Sequence, residues 1–309
     1  MIHKSVLLDE VIDNLAIKEN GIYIDGTLGR AGHAKAILSH LKNGHLYGFD
    51  KDQQAINESQ IILSDISSNF TLINSDFKDM STVMNKMGIN QVDGILLDLG
   101  VSSPQFDDPS RGFSYRYDAY LDMRMDQNQA LSAYEVVNTY QPKKLLEILY
   151  EYGEEKFAKN IVRKIVNSRA IKEIKTTFEL VEIIKDSLPA KELNKKGHPA
   201  KKTFQALRIE VNQELESLKQ GLVSAIDLLA RDGRLCVISF HSLEDRIVKN
   251  MFKDLIEVDK LDKRIPILPK DIKTSEFELI SKKPIVASKT ECLENNRAHS
   301  AKLRVLHRL

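Results

Sequence analysis

The residues best suited to chemistry are three carboxylates that close apolar runs. Asp25 follows Ile22-Tyr23-Ile24, Asp50 follows Leu46-Tyr47-Gly48-Phe49, and Asp98 follows Gly94-Ile95-Leu96-Leu97. Open α/β sheets bind their ligands at such strand ends. Asp25 opens the turn Asp25-Gly26-Thr27-Leu28-Gly29-Arg30-Ala31-Gly32-His33, whose glycines permit positive φ and close backbone approach. A tight strand-to-helix connection would use the same glycines, and their spacing is not the G-x-G-x-x-G of dinucleotide sites. A carboxylate here repels a pyrophosphate but neutralises a cation. S-adenosylmethionine, with its ammonium and sulfonium, therefore suits the turn better than NAD. Asp50 stands 25 residues after Asp25, where nucleotide-binding sheets place the acceptor for ribose hydroxyls, although a strand-end Asp also serves as a helix cap. Asp76-Phe77, after Phe70-Thr71-Leu72-Ile73, could offer adenine a polar edge and an aromatic face, or be an ordinary turn with a core Phe.

The densest segment is Asp98-Leu99-Gly100-Val101-Ser102-Ser103-Pro104-Gln105-Phe106. Enzymes that methylate exocyclic base amines often carry a short polar-Pro-Pro-aromatic loop at this place, and Ser103-Pro104-Gln105-Phe106 resembles a divergent form of it. The amine lone pair of cytosine is delocalised into the ring. Acceptors that bind the N–H groups and localise the pair are needed before it can act as a nucleophile. Farther on, Arg111-Gly112-Phe113-Ser114-Tyr115-Arg116 and Leu121-Asp122-Met123-Arg124-Met125-Asp126 mix the guanidinium and aromatic planes that hold RNA with methionines that belong to a core. Ser239-Phe240-His241-Ser242-Leu243-Glu244-Asp245-Arg246 follows another strand. It reads as a helix capped by Ser242, with His241 at the site mouth. No further ligands stand at workable spacing, so no metal is expected.

These residues need a frame to hold them. Short apolar runs alternate with helical stretches over the first hundred residues, which predicts a parallel sheet covered on both faces. Residues 142–202 show helical periodicity alone, with Pro142 opening one helix and Thr176 with Glu179 spaced as a capping box. Over 141–202 there are 15 Lys and Arg against 9 Asp and Glu. The surplus is concentrated in a polar, loop-like stretch, 191–202. Phe204, Leu207, Val211, Leu215, Leu218, Leu222, Ile226 and Leu229 form one apolar stripe, which predicts a single long helix ended by Asp232-Gly233. Strands resume at Leu235–Phe240, 276–281 and 303–307. The expected division is a core in two parts, 1–111 and 203–309, around a helical substrate-recognition insertion, 112–202.

With 309 residues, 42% hydrophobic and 29% charged, the chain is neither disordered nor too short for a large core. No run approaches the ~20 apolar residues of a membrane span, and Met1-Ile2-His3-Lys4 leads into no signal-peptide core. Two cysteines, Cys236 and Cys292, make no disulfide framework, which points to a cytoplasmic protein. With a net charge of only +1, nucleic-acid binding must come from local asymmetry: residues 191–202 with Arg111, Arg116 and Arg124 on one face.

Taken together, the segments resemble one family, the bacterial 16S ribosomal RNA cytosine-N4 methyltransferases. The matching strings are Val6–Glu10, Asp25–His33, Phe49–Asp52, Leu96–Asp107, Arg111–Ser114, Leu121–Asp126, Tyr152–Ala158, His198–Ala200, Thr203–Ile209 and Ser239–Lys249, in the family's order. The resemblance implies a class I, Rossmann-like seven-strand methyltransferase fold with an inserted helical domain. It also implies S-adenosylmethionine as donor and a cytidine N4 amine in the decoding region of 16S rRNA, within the small subunit, as acceptor. A homodimer stays open. Residue by residue, it assigns the donor to Ala31, Gly32, His33, Asp50, Phe77, Asp98 and Gln105, beside Asp25 from the reading above. Asp98, Ser103 and Pro104 surround the amine, with His241 as a further candidate.

Ala31 replaces the family's usual Gly, which is tolerable at negative φ. Lys201-Lys202 replace a Thr-Arg pair, Asn296 a Pro and His299 an Arg. The rival readings are a ribosome-assembly factor that keeps only the fold, a DNA amino-methyltransferase and a nicotinamide-dependent oxidoreductase. Calorimetry with S-adenosylmethionine and mass spectrometry of RNA and DNA would separate them.

Overall fold

The computed structural model describes residues 5–257 and 275–309 (of Ser103 and Pro104, the backbone only); Met1-Ile2-His3-Lys4 lies outside them. Seven strands form one sheet: β1 (Ile22–Asp25), β2 (His45–Asp50), β3 (Phe70–Asn74), β4 (Val92–Asp98), β5 (Leu229–Ser239), β6 (Phe277–Leu279) and β7 (Lys302–Arg308). Their order is β3-β2-β1-β4-β5-β7-β6. The pairings among β1 to β5 are parallel, and β7 runs antiparallel to both β5 and β6. The sheet is therefore mixed, not purely parallel. The chain enters β7 at the carboxyl edge, so Lys302 pairs with Ser239 and the strand must run back.

Alternate residues of the strands feed two cores, as period-two geometry requires. Tyr23, Leu46, Leu96, Cys236, Ile238, Leu303 and Val305 pack on one face. Ile24, Phe49, Ile95, Leu97, Leu235, Val237 and Leu306 pack on the other. Both faces are buried, which is why the strands read as continuous apolar runs.

By contacts the chain gathers into two compact units, 1–100 with 216–309, and 101–215. The second unit takes in the expected insertion 112–202 together with the loop before it and the helix Lys201–Asn212 after it. It has a helical core of its own, to which Met123, Met125, Leu145, Ile161, Ile165, Leu180 and Phe204 contribute. Pro142 occupies the first turn of the helix Pro142–Glu151, and Thr176 with Glu179 forms a complete capping box at Thr177–Lys185. Among the described residues, no helix is long and apolar enough to cross a membrane.

The single long helix expected over 204–229 is in fact two, Lys201–Asn212 and Glu214–Leu228, separated by Gln213 with φ 50°. Asn212, which is buried, donates to the carbonyls of Met123 and Arg208 and accepts from Met125 N–H at 2.8 Å. The stripe serves two masters: Phe204, Leu207 and Val211 enter the helical core, whereas Leu218 and Leu222 enter the sheet core. One left-handed residue leaves the apolar spacing intact, so periodicity does not register the break. Leu229, the last member of the stripe, opens β5.

Candidate functional site

The glycine turn after β1 is held to both neighbouring strands. Gly26 N–H donates to the Leu96 carbonyl and Leu28 N–H to the Phe49 carbonyl, each at 2.9 Å. Asp98 N–H donates to Thr27 Oγ1 at 2.6 Å, and Gly29 N–H to Asp50 Oδ2 at 2.8 Å. Packing leaves no room for side chains: a Cβ on Gly26 would meet Leu97 at 2.5 Å, and one on Gly32 would meet Ser5 Oγ at 2.0 Å. The helix Gly32–Ser39 starts from Ala31 at φ 57°, so the condition of negative φ is not met. A left-handed Ala costs roughly 1–2 kcal/mol. Its methyl group, fully buried in the core, recovers part of that.

The three strand-end carboxylates converge at this turn. Asp25 is 1% exposed; burial first, then the charges of Asp98 and Asp50, push its carboxyl up to about 6 against the pull of His33 and the Thr27 N–H. Asp50 is likewise raised to about 6, chiefly by burial, although its oxygens accept from Gly29 N–H and Asp52 N–H. It does not cap the next helix, a role that Asp52 fills by accepting from Gln54 N–H at 3.0 Å. Burial raises Asp98 too, while His33 and Arg297 draw it down. His33 donates from Nε2 to the Val6 carbonyl at 3.0 Å, which turns Nδ1 toward Asp98 Oδ2 at 3.6 Å. The second oxygen, Asp98 Oδ1, is buried without a hydrogen-bond partner. An orphaned acceptor among desolvated carboxylates is expensive unless a cationic or donor ligand completes it. The residues present therefore fit a cationic adenosyl donor.

Phe77 borders the same turn, its Cβ 3.2 Å from where a Gly26 side chain would begin. It lies on Gly221, where a Cβ would meet its ring carbons at 2.3 and 2.4 Å. Asp76 accepts from Lys78 N–H and from Ser217 Oγ at 2.9 Å, with Lys51 at 3.7 Å. Gly221 and Ser217 are not singled out by the sequence, and Thr27 is named there only as part of the turn. A glycine in mid-helix was the one available signal, because helix interiors disfavour it.

Ser103, Pro104 and Gln105 belong to the helical turn Ser103–Asp107 of the second unit. Gln105 Oε1 accepts from Ser102 N–H at 3.2 Å, and the side chains of Ser103 and Pro104 lie outside the described residues. His241 takes the capping place expected of Ser242. It is itself the N-cap of the helix Ser242–Ile256, and Glu244 completes the box by accepting from the Phe240 and His241 N–H groups.

The expected RNA face also changes. Arg111 is 5% exposed and donates to the carbonyls of Arg124 and Met125, and Arg124 forks onto Asp122 at 2.8 Å, so both brace a loop. Arg116 is exposed. The stretch 191–202 is not all loop: it begins in the helix Ala190–Leu193 and ends in Lys201–Asn212. Lys195 pairs with Glu192 at 2.6 Å and Lys202 donates to the Glu154 carbonyl at 2.8 Å, whereas Lys191, Lys196 and Lys201 are exposed.

A seven-strand sheet in this order, with β7 alone reversed and carboxylates ending β1, β2 and β4, is the class I methyltransferase fold. The chain belongs to the MraW methylase family, whose sequence profile matches residues 1–309. A relative from Streptococcus pyogenes serotype M4 (strain MGAS10750), called ribosomal RNA small subunit methyltransferase H, is 53% identical, covering 99% of this chain and 98% of its own. One of the same name from Streptococcus dysgalactiae subsp. equisimilis is also 53% identical, with the same coverage. Among solved structures, a putative rRNA methylase from Clostridium thermocellum aligns over 100% of both chains at 13% identity, with a TM-score of 0.45.

Proposed function

We propose that this methyltransferase acts in the cytoplasm on the N4 amine of a cytidine in the decoding region of 16S rRNA, within the small subunit. S-adenosylmethionine is the donor; when bound it supplies an electrophilic methyl on a sulfonium. The observation that carries the reading is the orphaned, buried Asp98 Oδ1 beside the raised carboxyls of Asp25 and Asp50. The names of the streptococcal relatives support rRNA as the acceptor class.

Asp25 and Asp98 supply negative charge to the cationic end of the donor, and Asp50 accepts from its ribose hydroxyls. Ala31, Gly32 and His33 line the turn, Phe77 faces the adenine, and Gln105 contributes from the loop after β4. Asp98 also accepts an N–H of the target amine, joined by the Ser103 hydroxyl and a backbone carbonyl near Pro104, which localises the nitrogen lone pair for attack. The amine nitrogen takes the methyl as its bond to the donor sulfur breaks, S-adenosylhomocysteine is the leaving group, and one amine proton is released to solvent. The base needs no covalent attachment to the protein. Cys236 is buried with its thiol pushed up to about 12, which is unlike an activated thiolate. His241, as the helix cap, shapes the backbone after β5.

The test is incubation with small ribosomal subunits and S-adenosylmethionine, then nuclease digestion and mass spectrometry. N4-methylcytidine at one decoding-region position is the expected product. A methyl on C5, or on DNA instead, overturns the reading. Failure to bind the donor by calorimetry would favour an assembly factor.

A further inference from the structure

Three neighbouring strands bring a second group of side chains to the edge that holds Asp98. In the parallel register Asp98 pairs with Ile238, so Phe240 stands beside Gly100, and a Cβ on Gly100 would lie 3.6 Å from the Phe240 ring. In the antiparallel register Ser239 pairs with Lys302, which sets the turn Ala298–Ser300 over the end of β5. Arg297 caps that turn and holds its guanidinium carbon 5.5 Å from the centre of the Phe240 ring. Ala298 and Ala301 are 2% exposed and share a core with Phe240, so the backbone that carries Arg297 is anchored. Phe240 and Arg297 are both partly exposed. A carboxylate with an unpartnered oxygen, an aromatic face and a guanidinium therefore share one sheet edge.

We propose that Arg297 and Phe240 form the base-reading part of the site: Phe240 packs on the target ring, and Arg297 donates to the N3 and O2 acceptors of cytosine while Asp98 accepts from N4. The proposal deepens the cytosine-N4 reading and rests on it. Cytosine carries one donor, the N4 amine, followed by two acceptors along its pairing edge. An acceptor at Asp98 beside donors at Arg297 mirrors that order. Uracil would set its O4 against the carboxylate and its N3–H against the guanidinium, two like-against-like contacts. Adenine offers an amine and one acceptor but a C–H where O2 would be. Asp98 alone cannot separate the two amino bases, so Arg297 supplies the discrimination. An arginine stacked on an aromatic ring is also a common surface for an unstacked RNA base.

The guanidinium has a second, measurable effect. Burial raises Asp98, the positive charges of His33 and Arg297 oppose the rise, and Glu244 adds to it. Losing the Arg297 charge should push Asp98 farther up and carry the acid limb of the kcat profile to higher pH. A purely structural arginine would not move that limb.

The experiment compares wild type, Arg297→Gln, Arg297→Lys and Phe240→Leu on small subunits, with calorimetry for the donor. Arg297→Gln should lower kcat/KM for the subunit between about fivefold and 100-fold, the range expected for one bidentate base contact. Its donor Kd should stay within about twofold and its acid limb should rise. Arg297→Lys should keep the limb but lose most of kcat/KM, because a point charge lacks the planar fork. Phe240→Leu should raise KM. If Arg297→Gln fails to fold, Arg297→Lys carries the test, and an unchanged kcat/KM in that variant overturns the proposal. Wild-type kinetics and limb in a folded Arg297→Gln overturn it as well. Mass spectrometry of the wild-type product separates the two levels. A methyl elsewhere than cytosine N4 overturns the function and this proposal together, whereas N4-methylcytidine with indifferent Arg297 variants overturns this proposal alone.

Discussion

Asp25→Asn should stabilise the ligand-free protein, and by an amount that depends on pH. The Asp25 carboxyl rises from 3.8 to about 6 on folding, mainly through burial, and is 1% exposed. A raised carboxyl means that the folded chain holds the proton more tightly than the unfolded one. Its stability is greatest below the unfolded value and is lost as pH climbs from about 4 to about 6. At 1.36 kcal/mol per unit, the full loss above pH 7 is about 3 kcal/mol. Asparagine never ionises, and its Oδ1 can keep the 3.1 Å bond from Thr27 N–H. The variant should therefore melt roughly 6–12 °C above wild type at pH 8. At pH 4.5 the advantage shrinks to about 1 kcal/mol, because the unfolded carboxyl is then only partly ionised. Calorimetric or circular-dichroism melts at both pH values provide the measurement. Equal stability at pH 8, or a gap that does not close on acidification, would refute a desolvated Asp25. The same substitution should abolish tight donor binding.

Three further outcomes follow from the geometry. Donor affinity should fall on going from pH 7 to pH 5, by up to about tenfold for each of Asp25 and Asp50 that binds ionised, with protons released on binding; titration calorimetry in two buffers measures both. Gly221→Ala should displace the Phe77 ring that it would meet at 2.3 Å, weakening the donor several-fold in calorimetry, with destabilisation of about 1–3 kcal/mol partly offset by helix propensity. Lys196→Glu with Lys201→Glu should weaken rRNA binding and flatten its salt dependence in filter-binding assays, whereas Lys195→Glu alone should do less because Lys195 is already paired with Glu192.

The carboxylates were legible because a charged residue that ends an apolar run marks a strand's carboxyl edge, and adjacent edges share a site. Caps were legible for a similar local reason: Thr176 with Glu179 is a four-residue event. What escaped is settled by distant partners. Arg111 and Arg124 look like RNA-binding cations until the carbonyls and carboxylate that hold them come into view. Gln213 breaks a helix within a stripe whose spacing continues across it, and the cause is Asn212 reaching back to Met123 and Met125. Phe240 and Arg297 lie 57 residues apart in the chain, and only the joint registers of β4, β5 and β7 bring them to Asp98. Ala31 shows the same limit: its residue type argues against φ 57°, yet the turn requires it.

Two treatments of aspartate beside one sheet explain why the site costs stability. Burial pushes the Asp245 carboxyl up, but Arg304 at 2.8 Å and Lys302 at 2.9 Å outweigh it and hold the group below the usual carboxylate range. On Asp25 and Asp50 burial outweighs the nearby charges of His33 and Lys51. Backbone N–H groups of Thr27, Gly29 and Asp52 orient them instead, fixing direction while leaving most of the charge uncompensated. A lysine in that position would make the ligand-free fold more stable and remove the attraction for a cationic ligand. Orientation by neutral donors keeps the carboxylates in place and leaves their neutralisation to the ligand, so the free energy withheld from folding is returned on binding.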